Sequence, residues 1–280
     1  MIKRLSIALV ALLLLTGASG YGLHVYYKDR IFNPSPDRPD ASLVPFPVET
    51  VSIETPDGLA LNAWWHAPLA GEETILYLHG NSKSIGKYTR GTAPLVEAGY
   101  GVLMLEYRGY GGNPGALSDD GFLIDAKAGL DWLEDRGIPS PSVHVYGYSL
   151  GTGTAVPLAA DRAVASVVLA APFASIAEMG YDQFPKWFVD AILTDRFDSI
   201  AHIQDVEEPV LIIHGTEDAT VPQHQSERLM AAGGDNITRL LFDGAGHGWD
   251  LFEPRGNAAI LDFLRQHEST KMASEATTAP

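Results

Sequence analysis

Short, uninterrupted apolar runs recur along this chain: TILYLHG at 74–80, GYGVLMLEYRGYG at 99–111, VHVYG at 143–147, SVVLAAP at 166–172 and PVLIIHG at 209–215. Each apolar core is short for a helix, and none alternates as a strand with one wet face would. The element that fits is a strand covered on both sides. Helix-patterned segments lie between the runs. In LSDDGFLIDAKAGLDWLEDRGIP, Phe122, Ala126, Leu130 and Leu133 fall at helical spacing, after an acidic start and before a Gly-x-Pro stop. VETVSIETPDGLALNAWWHAP reads as two strands around the turn Pro56-Asp57-Gly58, ITRLLFDG (237–244) as the last strand, and about Pro254–Gln266 as the final helix. Strands alternating with helices imply an α/β architecture with a mostly parallel sheet and helices on both faces. Right-handed crossovers bring the strand C-terminal ends to one edge, where ligands bind. The loops that matter are therefore 79–84, 107–112, 147–151, 171–175, 214–222 and 243–250.

Composition narrows the chemistry. Hydrophobic residues make up 46% of the 280, enough for a sizeable core. A net charge of −16 argues against nucleic acid, which needs clustered Lys and Arg. The absence of cysteine removes disulfides, thiolate metal sites and cysteine nucleophiles. No His-Glu-x-x-His motif or carboxylate cluster suggests a metal, and the glycine-rich loops lack both Gly-Lys-Ser/Thr and G-x-G-x-x-G spacing.

The ends differ from the middle. Lys3 and Arg4 precede an uncharged run from Leu5 to Tyr27, closed by Lys28, Asp29 and Arg30. About 20 apolar residues span a bilayer. Residues 1–30 are therefore expected to form an N-terminal transmembrane anchor with Tyr21, Tyr26 and Tyr27 at the interface. The alternative is a signal peptide cut near Ala18-Ser19-Gly20 and an exported soluble protein. Residues 31–47, with five prolines in NPSPDRPDASLVPFP, read as an extended linker, 48–268 as the folded domain and 269–280 as a disordered tail.

The candidate loops hold few groups able to serve as nucleophile, base and orienting acid. Ser149 stands between Gly147 and Gly151 at a strand-to-helix junction, the Gly-x-Ser-x-Gly pattern of a sharp elbow that presents a strained serine above the sheet. Of nine histidines, His247 in GAGHG follows the last strand and is the base that fits. His79 and His214 end strands and read as buried loop formers. His144 lies within a strand, His66 packs near Trp64 and Trp65, and His202, His224 and His267 are expected at the surface. Asp218 in HGTEDATVP follows a strand and precedes the histidine. Its rivals are Glu217, a solvated turn residue, and Asp243, which closes the last strand's turn. The order Ser149, Asp218, His247 matches the order in hydrolases of this architecture. The N–H groups of Leu150 and Asn81 stand where an oxyanion would need donors.

Taken together, LYLHGNS, EYRGYGGNPG, YGYSLGTGTA, PVLIIHGTEDATVP and GAGHGWD resemble the α/β-hydrolases over roughly 45–268. Within them, the apolar N-terminus, IFNPSP and RFDSI (196–200) resemble the N-terminally anchored, serine-aminopeptidase-like branch that includes protein depalmitoylating thioesterases. The resemblance implies the α/β-hydrolase fold, an eight-stranded sheet, no cofactor, and catalytic roles for Ser149, Asp218, His247, Asn81 and Leu150. Two departures stand out. Glu106 replaces the aspartate such proteins carry before Tyr-Arg-Gly-Tyr-Gly, and Pro157 falls inside the helix after Ser149, where it could kink it. The insert 172–200, with Met179, Tyr181, Phe184, Trp187 and Phe188, is where a short lid would sit, either as an apolar cover or as a helix packed on the core. The expected activity is hydrolysis of carboxylic esters or thioesters, including acylated substrates at a membrane surface. An aminopeptidase or amidase on the same triad, and a non-catalytic binding member of the fold, are the alternatives.

Overall fold

In a computed structural model of the chain, residues 27–28 and 31–268 are described. The strands in chain order are β1 (Asn33–Pro34), β2 (Glu49–Glu54), β3 (Ala60–His66), β4 (Thr74–Leu78), β5 (Ser82–Lys83), β6 (Gly101–Leu105), β7 (Val143–Tyr148), β8 (Ser166–Ala170), β9 (Val210–Gly215) and β10 (Ile237–Phe242). Eight of them form one sheet in the order β10-β9-β8-β7-β4-β6-β3-β2. The β2–β3 and β3–β6 pairs are antiparallel and the rest of that sheet is parallel, giving the α/β-hydrolase fold expected from the sequence.

The continuous apolar runs are buried throughout, and the strand period of two explains why they must be. Leu76, Leu78, Leu103, Leu105, Val145 and Leu169 face one core layer. The residues between them, including Ile75, Tyr77, Val102, Met104, Tyr146 and Val168, face the other. The second layer is covered by α1 (Thr89–Glu97) and the C-terminal helix, the first by α2 (Asp119–Glu134) and α3 (Thr152–Asp161). Helix α2 (Asp119–Glu134) begins where Ser118 Oγ accepts the Gly121 N–H at 3.1 Å, with Asp119 and Asp120 in its first turn. Both features favour a helix N-terminus. Helix α3 (Thr152–Asp161) runs through Pro157 without a break.

One buried charge pair ties the sheet's exit loop to this layer. The Arg108 guanidinium pairs with the fully buried Asp125 carboxylate at 2.7 Å and with Asp57 at 2.8 Å. The Asp57 carboxyl is held down to about 2 by hydrogen bonds from Arg108 and Thr55. This links the Pro56-Asp57-Gly58 turn to α2.

The stretch read as a linker does not stand free. Phe32 is buried against Phe122 and Phe197, at ring separations of 5.6 and 6.0 Å, and β1 pairs in parallel with β5. A large aromatic at the start of the stretch gains too much by burial to remain in water. The proline-rich chain that follows lies along the domain as a result. Except for Tyr27 and Lys28, the segment 1–30 read as an anchor lies outside the described residues, as does the tail 269–280. Among the described residues, no helix is long and apolar enough to cross a membrane.

Candidate active site

The loops at the C-terminal ends of β4, β6, β7, β8, β9 and β10 gather at one edge of the sheet, as the topology requires. At the end of β7 the chain turns through Ser149 into a single 3-10 turn and then α3. Ser149 has φ +50°, a left-handed conformation that costs a non-glycine residue about 1–3 kcal/mol. The flanking glycines show what sustains it. A Cβ on Gly147 would lie 2.7 Å from the Gly151 carbonyl oxygen. A Cβ on Gly151 would lie 2.0 Å from the Leu78 carbonyl oxygen and 2.8 Å from that of His79. The helix start is therefore pressed against the end of β4, and only bare backbone fits between them. Gly151→Ala forces backbone against backbone. We expect it to destabilise the domain by about 3 kcal/mol or more in urea unfolding, whereas a loss under about 0.5 kcal/mol would contradict this close approach.

Three residues distant in the chain meet here. Ser149 Oγ donates to His247 Nε2 at 2.8 Å, and His247 Nδ1 donates to Asp218 Oδ2 at 2.6 Å. A carboxylate can only accept, so Nδ1 carries the proton and Nε2 presents its lone pair to the serine. Asp218 is itself pinned: its Oδ1 accepts the N–H groups of Thr220 and Val221 at 2.9 and 2.8 Å. Burial alone would push this carboxyl up, but hydrogen bonds from His214, His247 and Val221 outweigh it and hold the group well below the usual carboxylate range. The rival Asp243 instead accepts from Thr216 Oγ1 at 3.3 Å.

Some of the support around the three residues was not singled out in the sequence. Tyr148, the residue before the serine, stacks on the His247 ring at 5.5 Å and donates its hydroxyl to the His247 carbonyl. It thus couples the elbow to the histidine loop. His214, read as a buried loop former, is fully buried, and its Nε2–H bridges the Val221 carbonyl at 2.8 Å and the Asp218 carboxylate at 3.4 Å.

Asn81 and Leu150 lie beside Ser149 on the wall of one cavity. The first N–H groups of a helix have no partner within it, which leaves the Leu150 end of the elbow suited to an anion. Asn81 is fixed from several sides. Its carbonyl accepts from the Asn33 N–H and the Tyr110 hydroxyl at 3.1 and 3.0 Å, and its side-chain amide donates to the Ile31 carbonyl at 3.2 Å. Glu106, the departure from the aspartate pattern, reaches the same loop: it accepts the Ile85 N–H at 3.0 Å and lies 3.3 Å from His79 Nε2. The longer carboxylate fits because Gly111, at φ +54°, has no side chain; a Cβ there would lie 2.3 Å from Glu106 Oε2.

Two cavities flank Ser149. The larger, about 710 Å³, lies under α4 (Ile176–Tyr181) and α5 (Lys186–Ile192) of the insert. Its walls include Ile176, Met179, Phe184, Phe188, Val189 and Leu193, so the insert forms an apolar cover. Trp187 is 73% exposed and points elsewhere, and Tyr181 is occupied by a hydrogen bond to Asp190 at 2.6 Å. The N-terminal segment closes one side of this cavity. Tyr27 and Ile31 line it, with the Tyr27 hydroxyl bonded to Thr194 at 2.5 Å and Lys28 paired with Asp195 at 3.1 Å. The smaller cavity, about 220 Å³, lies on the other side of Ser149 and is bounded by His247, Lys87, Tyr88 and Trp249. Among the described residues, no group of three or more His, Cys, Asp or Glu is placed to hold a metal ion.

Known proteins share this architecture. A family model of the alpha/beta hydrolase fold matches residues 73–198. Uncharacterized protein Rv2307c of Mycobacterium tuberculosis is 36% identical over 267 residues, covering 93% of this chain and 92% of that protein. Lysophosphatidylserine lipase ABHD12 of Danio rerio is 35% identical over 221 residues, or 68% of this chain and 58% of that longer protein. The structure of the Pyrococcus furiosus esterase Pf2001 superposes with a TM-score of 0.69 at 22% identity, covering 85% of this chain and 100% of that one.

Proposed function

Because this chain belongs to the alpha/beta hydrolase superfamily, we propose that it is a serine hydrolase cleaving carboxylic esters or thioesters of hydrophobic acyl groups. The observation that carries this reading is the unbroken relay from Ser149 Oγ through His247 to Asp218, at 2.8 and 2.6 Å. Ser149 attacks the acyl carbonyl as His247 takes its proton. Asp218 holds the imidazole in the required tautomer and stabilises the imidazolium. The N–H groups of Asn81 and Leu150 are assigned to the oxyanion. The C–O or C–S bond then breaks, the proton passes from His247 to the departing atom, and water repeats the sequence to release the acid.

The acyl preference rests on the larger cavity, where none of the described lining residues carries a charged side chain. Without a carboxylate there to receive a free amine, an ester or thioester substrate fits better than an aminopeptidase substrate. Lysophosphatidylserine lipases among the relatives are consistent with an acyl substrate. For p-nitrophenyl esters, kcat/KM is expected to rise from acetyl to octanoyl by up to about fourfold per methylene, the effect of burying each CH₂. A preference for acetyl, or faster turnover of aminoacyl anilides, would overturn this assignment.

The run Leu5–Tyr27 serves, in this reading, as a single-pass anchor. It enters the domain at Tyr27, beside the acyl cavity, an arrangement suited to acylated substrates at a membrane. Membrane fractionation with and without residues 1–26 separates an anchor from an exported soluble protein.

A further inference from the structure

The two cavities beside Ser149 are chemically unlike, and the imidazole faces only one of them. His247 lines the smaller cavity and is not part of the wall of the larger. In acyl transfer the imidazolium protonates the departing oxygen, so the leaving group must lie on the imidazole side. The acyl chain then occupies the apolar cavity and the leaving group the smaller one.

Among the described residues, Lys87 is the only lysine or arginine on the wall of either cavity. Its Nζ donates to Ser82 Oγ at 2.8 Å, and among the described residues it makes no ion pair. The neighbouring cation is already engaged: Arg90 donates to both carboxylate oxygens of Glu253 at 2.9 Å. Asp250, on the histidine loop, is not on the cavity wall and accepts the Gly246 N–H at 2.6 Å. In a chain of net charge −16, this leaves an uncompensated ammonium on the leaving-group side of the nucleophile.

We infer that the smaller cavity is a leaving-group subsite for an anionic alcohol, with the Lys87 ammonium as the counter-charge to its phosphate or carboxylate. This rests on the esterase reading above. It goes further by naming which half of the substrate carries the charge and which side chain reads it. The reaction is ordinary hydrolysis: the acyl–oxygen bond breaks, the anionic alcohol leaves with the proton from His247, and water supplies the atoms of the acid.

The test uses the full-length protein and three octanoyl esters: of glycerol, of glycerol 3-phosphate and of glycerate. The expected result is a kcat/KM ratio of about tenfold in favour of at least one anionic ester over the neutral one, the scale of one hydrogen bond to a charged group. Whichever arm shows the preference distinguishes phosphate from carboxylate. Lys87→Gln should bring that ratio to near one, and Lys87→Glu should invert it. Lys87 is exposed, so neither substitution disturbs the core. Turnover of all three esters with a ratio indifferent to residue 87 overturns the subsite while leaving the esterase intact. No turnover of any ester removes the esterase reading and the subsite with it.

Discussion

Ser149→Ala is expected to lower kcat on an octanoyl ester by on the order of 10⁵- to 10⁶-fold, the scale found when the nucleophile of such a relay is removed. The fold should barely notice. The substitution removes the one hydrogen bond to His247 and keeps the Cβ, so the strained φ of +50° is unchanged. The melting temperature should therefore stay within a few degrees, as expected for about 1 kcal/mol or less. A folded alanine variant that retains a tenth of the wild-type rate would remove Ser149 from the chemistry.

Asp218→Asn should cost about 10⁴-fold in kcat, with the geometry nearly intact. The reason is visible in how the carboxylate is held. Its Oδ1 accepts two backbone N–H groups, from Thr220 and Val221, and the amide oxygen of asparagine would keep that place. The amide NH₂ would then face His247 Nδ1 and turn it into an acceptor. The ring proton moves to Nε2, where a lone pair is needed to receive the serine proton. Because the Asp218 carboxyl is held well below the ordinary range, it is ionised at neutral pH, so the substitution removes a charge that is present. Its contribution to stability is full above the carboxyl's unfolded value, about 3.9, and is lost only as pH falls through the lower folded value. An Asp218→Asn variant within tenfold of wild type would assign the orienting role elsewhere, with Asp243 the first residue to examine.

Much of this was legible before any coordinates. The strands were readable because burial on both faces leaves no charged residue within TILYL or SVVLA. The three relay residues were readable because parallel topology fixes which loops share an edge. The elbow was readable because two glycines around a serine make sense only where backbones touch, as the 2.0 Å approach at Gly151 shows. The choice of Asp218 over Asp243 followed from its place after a strand and ahead of the histidine, whereas Asp243 closes the last strand's turn.

Other features depend on contacts that leave no local trace. The proline-rich 31–47 has a linker's composition, yet the burial of Phe32 between Phe122 and Phe197 holds it to the domain. The coupling of Tyr148 to His247 spans 99 positions of sequence and follows no period. Lys87 belongs to no motif in the sequence, and its meaning depends on which side of Ser149 the imidazole faces. For the insert, an apolar cover and a packed helix were posed as alternatives, but α4 and α5 do both. They wall the cavity with Met179 and Phe188, joined by Phe184 from the turn between them, while Val189 is buried.

The central claim is that Ser149 is an activated nucleophile. The most direct measurement is covalent capture of the full-length protein with a fluorophosphonate probe, followed by peptide mapping of the adduct. The account predicts modification of Ser149, and its disappearance in Ser149→Ala and His247→Ala variants that remain folded. A folded wild-type protein that resists the probe, or carries the adduct on another serine, would contradict it.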